Sequence, residues 1–283
     1  MSASPQSPAI DQREYWNGDV GARWAAHYER TDRMLERISS ALFAAAVPLP
    51  GEHVLDIGCG AGTTSLALAR AVGAEGRVTG LDISEPMLAV ARTRAATAGL
   101  PITFTAADAA SADMTGLGAD LLFSRFGVMF FDDPISAFAN LRQAASAKGR
   151  LAFVCWAPAA ENAWVMEPML AALPFLPPQP EVPPGTPGPF AFADKDRTRA
   201  IITHAGYREV EIEPLRSSAY IGDDAKAAAA EMLQIGPLSR AVAGLDEETK
   251  VSILTAVEGR LRAHEGKDGI ALGAACWLVR AKA

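Results

Sequence analysis

The sequence predicts an α/β fold: a doubly wound, mostly parallel sheet with helices on both faces. Three observations predict it. Short apolar runs between residues 54 and 156 alternate with helical stretches of about 10–15 residues, which is the rhythm of βαβ units. A glycine-dense turn, Gly58-Cys59-Gly60-Ala61-Gly62, follows the first of those runs directly. The second and third runs are each followed closely by an acid, Asp82 and Asp108.

The elements follow in order. Residues 1–11 are rich in Ser and Pro and read as disordered. Residues 12–47 read as helical, with Trp16, Trp24, Tyr28, Leu35, Ile38 and Leu42 as apolar points, until Pro48-Leu49-Pro50-Gly51 breaks the run. Val54–Ile57 is the first strand, Ala61–Val72 a helix and Val78–Leu81 the second strand. Ser84 suits the N-cap of a helix running to about Ala98, and Glu85 in its first turn favours the helix dipole. Ile102–Thr105 and Leu121–Ser124 are the third and fourth strands. Asp133 caps a helix with Pro134 at its first position, running to about Ala147, before a fifth strand at Leu151–Cys155. Asn162–Leu173 reads as helix. Residues 174–189 hold eight prolines and read as extended loop. Asp194 caps a helix to about Ala205, stopped by Gly206, and Glu209–Ile212 is a sixth strand. Residues 224–264 are mostly helical, broken around Gly236–Pro237 and at Gly244, and Ala271–Val279 is the last strand.

Composition bounds the function. A chain of 283 residues allows one large α/β domain with an insertion, or two small domains. The net charge of −7 argues against a phosphate-gripping surface, so no nucleic-acid partner is expected. Cys59, Cys155 and Cys276 are sparse and far apart, which fits reduced buried thiols and gives neither a disulfide framework nor metal-ligand spacing. No apolar run approaches the roughly 20 residues of a membrane span. The N-terminus lacks a basic segment followed by an apolar run, so the cytoplasm is the expected compartment.

The glycine turn carries the chemistry. Glycine is needed where a backbone turns sharply and approaches a ligand without a Cβ in the way. The turn lies at the carboxyl end of the first strand, where open α/β sheets bind ligands. The dinucleotide fingerprint wants a third glycine at position 63, and this chain has Thr63. Asp56, two residues before Gly58, would repel a pyrophosphate; it suits a ligand with a cationic amino-acid end, or it braces the turn by accepting backbone N–H bonds. Asp82 lies twenty residues after Gly62, placed to take both ribose hydroxyls of an adenosine. Asp108 would face the exocyclic amine of an adenine, with Ile83 and Met87 on its flat faces.

Residues Val54–Gly62, followed by Val78–Ser84 and Glu85-Pro86-Met87-Leu88, resemble class I S-adenosylmethionine-dependent methyltransferases. Phe123–Pro134 and Gly149–Trp156 are similar to a bacterial small-molecule subgroup related to ubiquinone/menaquinone-biosynthesis methyltransferases. The resemblance covers about residues 54–156. It implies a seven-stranded sheet in the order 3-2-1-4-5-7-6 with the last strand antiparallel. It also implies S-adenosylmethionine as cofactor, giving S-adenosylhomocysteine. Gly58, Cys59 and Gly60 would approach its methionine part, Asp82 its ribose, and Asp108 and Ala109 its adenine, while Ser124 to Phe126 would line the space between sulfonium and acceptor. Residues 1–47 would be a disordered start and a helical lid carrying Trp16 and Trp24. Residues 48–215 would be the core with a Pro-rich insertion at about 157–195, residues 216–268 a helical cap, and residues 269–283 the last core strand.

Methyl transfer expels a neutral leaving group, so it needs alignment and exclusion of water, and a general base only for some acceptors. His27 is the candidate base among the four histidines, within the expected lid. Arg23 or Arg125 could pair the cofactor carboxylate. Tyr28, Phe126, Trp156 and Trp164, with Phe190, Phe192, Met232 and Ile235, would form an apolar acceptor pocket suited to O-, C- or N-methylation of a hydrophobic or aromatic small molecule. The sequence leaves a homodimer open. Two other readings compete: an NAD(P)-dependent oxidoreductase, disfavoured by Thr63, Asp56 and the missing Tyr-x-x-x-Lys, and a non-catalytic methyltransferase-like protein.

Overall fold

The computed structural model describes residues 11–178 and 182–283. The expected disorder over residues 1–10, and residues 179–181 of the Pro-rich loop, lie outside the described residues.

The core is one mixed sheet. Its strands are β1 (His53–Ile57), β2 (Arg77–Asp82), β3 (Ile102–Ala106), β4 (Ala119–Arg125), β5 (Ala145–Trp156), β6 (Arg208–Gly222), β7 (Glu265–Gly266) and β8 (Gly269–Lys282). Their order is β3-β2-β1-β4-β5-β8-β6, with the two-residue β7 paired only to β8. Setting β7 aside, this is the expected order. β1 to β5 pair in parallel, and β8 runs antiparallel to both β5 and β6. Every residue of β1 is buried, as a parallel strand covered on both faces must be.

Eleven helices are described: α1 (Gln12–Asn17), α2 (Asp19–Ala26), α3 (Tyr28–Ala46), α4 (Thr63–Val72), α5 (Glu85–Ala98), α6 (Pro134–Gln143), α7 (Ala163–Ala172), α8 (Lys195–His204), α9 (Ala225–Met232), α10 (Pro237–Val242) and α11 (Glu247–Leu261). The expected N-terminal helix is three, broken at Gly18 and His27. α3 buries Leu35, Ile38, Leu42 and Ala46, a three- and four-residue spacing that puts one apolar face on the sheet. It also makes polar contacts: Arg33 pairs with Asp223, and Arg37 donates to the Ser218 hydroxyl.

Three local expectations change. α6 stops at Gln143 because Ala145 already pairs with Ala119, and the register shifts before β4 and β5 resume at Leu121 and Arg150. β6 continues to Gly222, so residues 216–222 belong to the sheet and not to a helical cap. Its polar stretch Arg216-Ser217-Ser218 gave no apolar run to mark it. Ser84 does precede α5, but its hydroxyl does not cap it: it donates to the Trp16 carbonyl at 2.7 Å. The free N–H of Glu85 is taken instead by the Asn17 side-chain oxygen at 2.9 Å. Asp133 and Asp194 cap α6 and α8 as expected, accepting backbone N–H bonds from the first turn. Among the described residues, no helix is long and apolar enough to cross a membrane.

Candidate active site

A chamber of about 620 Å³ opens at the carboxyl ends of the parallel strands. That size falls within the usual range for small-molecule sites. Its floor is the glycine turn between β1 and α4 and the ends of β2 and β4. Its roof is formed from α2 and the start of α3 on one side and from α9 and α10 on the other.

The glycine turn is shaped by backbone geometry only glycine adopts cheaply. Gly58 and Gly60 have φ of 65° and 53°. A Cβ on Gly58 would stand 2.5 Å from the Cα of Gly127, and one on Gly60 would stand 2.9 Å from the Met87 terminal methyl. The turn is fixed to the next strand: the N–H groups of Gly58 and Cys59 both donate to the Leu81 carbonyl.

Asp82 anchors the same region. Its Oδ2 accepts the Gly60 N–H at 2.7 Å and its Oδ1 accepts the Ser84 N–H at 2.9 Å. Burial raises its pKa, and the backbone N–H groups work against that rise. These bonds join the tip of β2 to the glycine turn and fix a carboxylate on the chamber wall. Asp108 is held in the same manner, accepting the Ala110 N–H at 2.8 Å and the Ser111 hydroxyl at 3.3 Å. Cys59, Ile83, Met87 and Ala109 line the chamber beside them, and burial pushes the Cys59 thiol well above its ordinary value.

The N-terminal helices dock on these residues. Besides the Ser84 to Trp16 bond, the Asn17 side-chain amide donates to the Ile83 carbonyl at 2.9 Å. Trp16 packs edge-on against Trp24 and Phe130, with centroids 5.8 and 5.3 Å apart. The wall beyond β4 is aromatic. Phe126 stacks on Trp156 at 4.2 Å and 14°, and Trp156 meets Trp164 at 4.7 Å. Phe126 sits in the left-handed region with φ of 64°, which costs a non-glycine residue free energy. Tyr28 lines the chamber with the Arg94 guanidinium 4.4 Å from its ring centre.

Four expected residues or pairs sit elsewhere. Asp56 is fully buried beneath the turn and off the chamber wall; it accepts the hydroxyls of Thr64 and Ser65 at 2.7 and 2.6 Å, not backbone N–H groups. Ser124 is likewise behind the wall, donating to the Ile57 carbonyl at 2.7 Å and accepting the Gly127 N–H at 3.1 Å. It ties β4 to β1 under the turn. His27 ends α2 and is off the wall; its Nδ1 faces Glu231 at 3.6 Å. Phe192 packs into the core against Phe138 and Phe153, and Phe190 packs against that core. Arg125 is on the wall, but its charge is already engaged: it reaches Asp32 at 3.5 Å and the Ser39 hydroxyl at 3.1 Å, and burial lowers its pKa. Arg23 lines the mouth and, among the described residues, its side chain has no hydrogen bond or ion pair.

Sequence reasoning missed two groups. Asp32 is a hub that accepts the Thr63 hydroxyl at 2.6 Å and the Arg94 guanidinium at 3.1 Å. Thr63, the departure from the dinucleotide fingerprint, thus bonds the glycine turn to the lid helix α3. Glu231, from α9, lines the chamber and pairs with Arg30. Neither acid carries a local pattern that separates it from an ordinary surface carboxylate. Among the described residues, no group of three or more His, Cys, Asp or Glu side chains gathers as a metal site.

Residues 54–149 match the family model described as methyltransferase domain. That stretch of the chain is similar to a methyltransferase domain. The aklanonic acid methyltransferase DauC of Streptomyces sp. (strain C5) is 34% identical over 135 residues, covering 47% of this chain and 56% of that protein. A demethylmenaquinone methyltransferase of Symbiobacterium thermophilum is 32% identical over 101 residues, covering 34% of this chain and 40% of its own length. The chain spans about half the length of the curated relatives it matches. A solved SAM-dependent methyltransferase from Aquifex aeolicus superposes with a TM-score of 0.54 at 16% identity, over 92% of this chain and 97% of that one, which is a likeness of fold. The matched residues include the glycine turn, Asp82, Asp108, Arg125 and Phe126. The lid and the roof helices α9 and α10 lie outside the matched residues.

Proposed function

We propose that the chain transfers a methyl group from S-adenosylmethionine to a hydrophobic or aromatic small-molecule acceptor. One observation carries the reading: a single chamber joins the glycine turn and Asp82 at one end to the stacked Phe126–Trp156–Trp164 wall at the other. The residues present fit the cofactor. A Cβ at Gly60 would close the space beside Met87, so the turn leaves room that glycine alone provides. Asp82 would take the ribose hydroxyls, Asp108 and Ala109 would flank the adenine, and Ile83 and Met87 would cover its faces. Arg23 would offer its charge to the cofactor carboxylate, since Arg125 already faces Asp32.

The bound cofactor supplies an electrophilic methyl group whose departure leaves a neutral thioether. This chain's residues supply position and dryness. Trp16 and Trp24 shut the lid side, and the Ser84 and Asn17 bonds hold that lid against the tip of β2. Phe126, Trp156 and Trp164 present flat apolar faces that orient an aromatic acceptor and exclude water. Asp56 and Ser124 act from behind by fixing the floor. His27 would reach a proton on the acceptor only through Glu231.

Incubation of the protein with methyl-deuterated S-adenosylmethionine and a bacterial small-molecule extract tests this. Mass spectrometry is expected to show extract components gaining a trideuterated methyl group. Stabilisation by NAD with none by S-adenosylhomocysteine would overturn the reading in favour of an oxidoreductase.

A further inference from the structure

We propose that Asn17, Gly21 and Ser84 are positioning residues: they latch the helices α1 and α2 onto the tip of β2, and the cofactor is released only when that latch opens. The inference deepens the function proposed above and rests on its cofactor reading.

Apolar burial does not hold these two helices. α1 buries no residue and α2 buries Gly21 alone, whereas α3, beyond the break at His27, buries Leu35, Ile38, Leu42 and Ala46. The hydrophobic effect therefore fixes α3 and leaves α1 and α2 to specific contacts, the condition under which a segment opens on its own. Three of those contacts fall on three consecutive residues. The Ser84 hydroxyl donates to the Trp16 carbonyl at 2.7 Å. The Asn17 side chain takes the residues on either side: it donates to the Ile83 carbonyl and accepts the Glu85 N–H, both at 2.9 Å. Ser84 is 1% exposed, so water does not compete for its bond.

Gly21 makes this approach possible. A Cβ there would stand 1.8 Å from the Trp16 carbonyl oxygen and 2.9 Å from the Ser84 Oγ. The space a side chain would fill is thus where the acceptor and donor of the latch meet. Alanine at this position must push α2 away from the end of α1, or both away from Ser84, and either movement breaks the bond.

The latch grips the segment assigned to the cofactor. The Ser84 N–H donates to Asp82, whose other oxygen accepts the Gly60 N–H of the glycine turn, and Ile83 lines the chamber. Trp16 and Trp24, carried by the latched helices, line it too. Opening the latch withdraws two indoles from the wall and loosens the peptide beside the Asp82 carboxylate. A ligand seated on Asp82 and Ile83 stiffens the segment that the latch holds. The two events share residues, so each favours the other by linkage.

Asn17 is exposed, so Asn17→Ala removes its two bonds to the tip of β2 without touching the core. Release of radiolabelled S-adenosylhomocysteine into an excess of unlabelled compound is timed for the wild type, N17A and G21A. N17A should release it about tenfold faster, the effect of losing two hydrogen bonds, and G21A at least as fast as N17A. A merely structural role would lower the thermal melt and leave the release rate unchanged. Trypsin cleavage after Arg23, an exposed residue within α2, reads opening of the same helices. Saturating S-adenosylhomocysteine should slow that cut in the wild type, and without ligand N17A should be cut faster than the wild type. If G21A fails to fold, judged by its thermal melt, N17A carries the test. Three results overturn the inference: release from N17A within about twofold of the wild type, less than one lost hydrogen bond would give; a wild-type cut that the ligand does not slow; or equal cutting of ligand-free N17A and wild type. Failure of S-adenosylhomocysteine to bind the wild type would strike the cofactor reading instead, and the ligand-free cleavage would still report whether the latch holds.

Discussion

Replacing Asp56 by Asn should remove a pH-dependent loss of stability built into the floor of the site. Asp56 is wholly buried in β1, and its Oδ1 has no hydrogen-bond donor. Burial lifts its carboxyl from 3.8 to about 6, while the Ser65 and Thr64 hydroxyls on Oδ2 restrain the rise. Between those values the folded protein keeps a proton that the unfolded chain has released. Stability contributed by this group therefore falls as pH rises from about 4 to about 6, and is level above that. The shift from 3.8 to about 6 corresponds to on the order of 3 kcal/mol. Asn cannot ionise, and its carbonyl can still accept the two hydroxyls. Urea unfolding of the wild type and Asp56→Asn across this range reads the effect as a difference, which cancels titrations common to both. The wild-type stability minus the variant's should fall by about 3 kcal/mol from acid to neutral pH. A difference that stays constant within about 0.5 kcal/mol, well inside the expected change, would refute the claim that Asp56 is buried as a costly carboxylate.

Other predictions follow from the same geometry. Asp82→Ala should weaken S-adenosylhomocysteine binding by about 1.5–3 kcal/mol, the range for hydrogen bonds to a charged group, as read by calorimetry; unchanged affinity in a folded variant would remove the ribose assignment. Gly60→Val places a Cβ 2.9 Å from the Met87 methyl at a φ of 53°, so a folded variant should show no calorimetric S-adenosylhomocysteine binding. Retained binding would count against the turn as a cradle. The three cysteines are buried, and burial raises the Cys59, Cys155 and Cys276 thiols. A thiol reagent at mildly alkaline pH should leave all three untouched until urea unfolds the chain, and prompt reaction in the native state would contradict their burial.

The strand–helix alternation and the glycine turn were legible because both rest on local chemistry, whereas the sheet order was implied by the family resemblance. Gly58 and Gly60 need positive φ, and no other residue type takes it so cheaply. The acids after the second and third strands were legible because a strand end fixes where a side chain stands. The facing of Asp56 was not: β1 is buried on both sides, so alternation gives no sign of which face meets a ligand. The register shift before β5 was hidden too, because Ala145 and Ser146 suit a helix as well as an irregular edge. The Asp32–Thr63 bond spans 31 residues, and the Glu231–Arg30 pair spans 201. Such contacts come from the packing of α3 on the sheet and of α9 on α3's neighbours, which no local pattern records. His27 illustrates the cost: it lies in the right helix pair, yet at a break that turns it away from the chamber wall.

A crystal structure of the protein grown with S-adenosylhomocysteine tests the central claim most directly. The account predicts the ligand in the strand-end chamber, its ribose hydroxyls within hydrogen-bond distance of Asp82 and its thioether facing the Phe126–Trp156 stack. Density for the ligand anywhere else, or a chamber filled by the protein's own lid at saturating ligand, would contradict it.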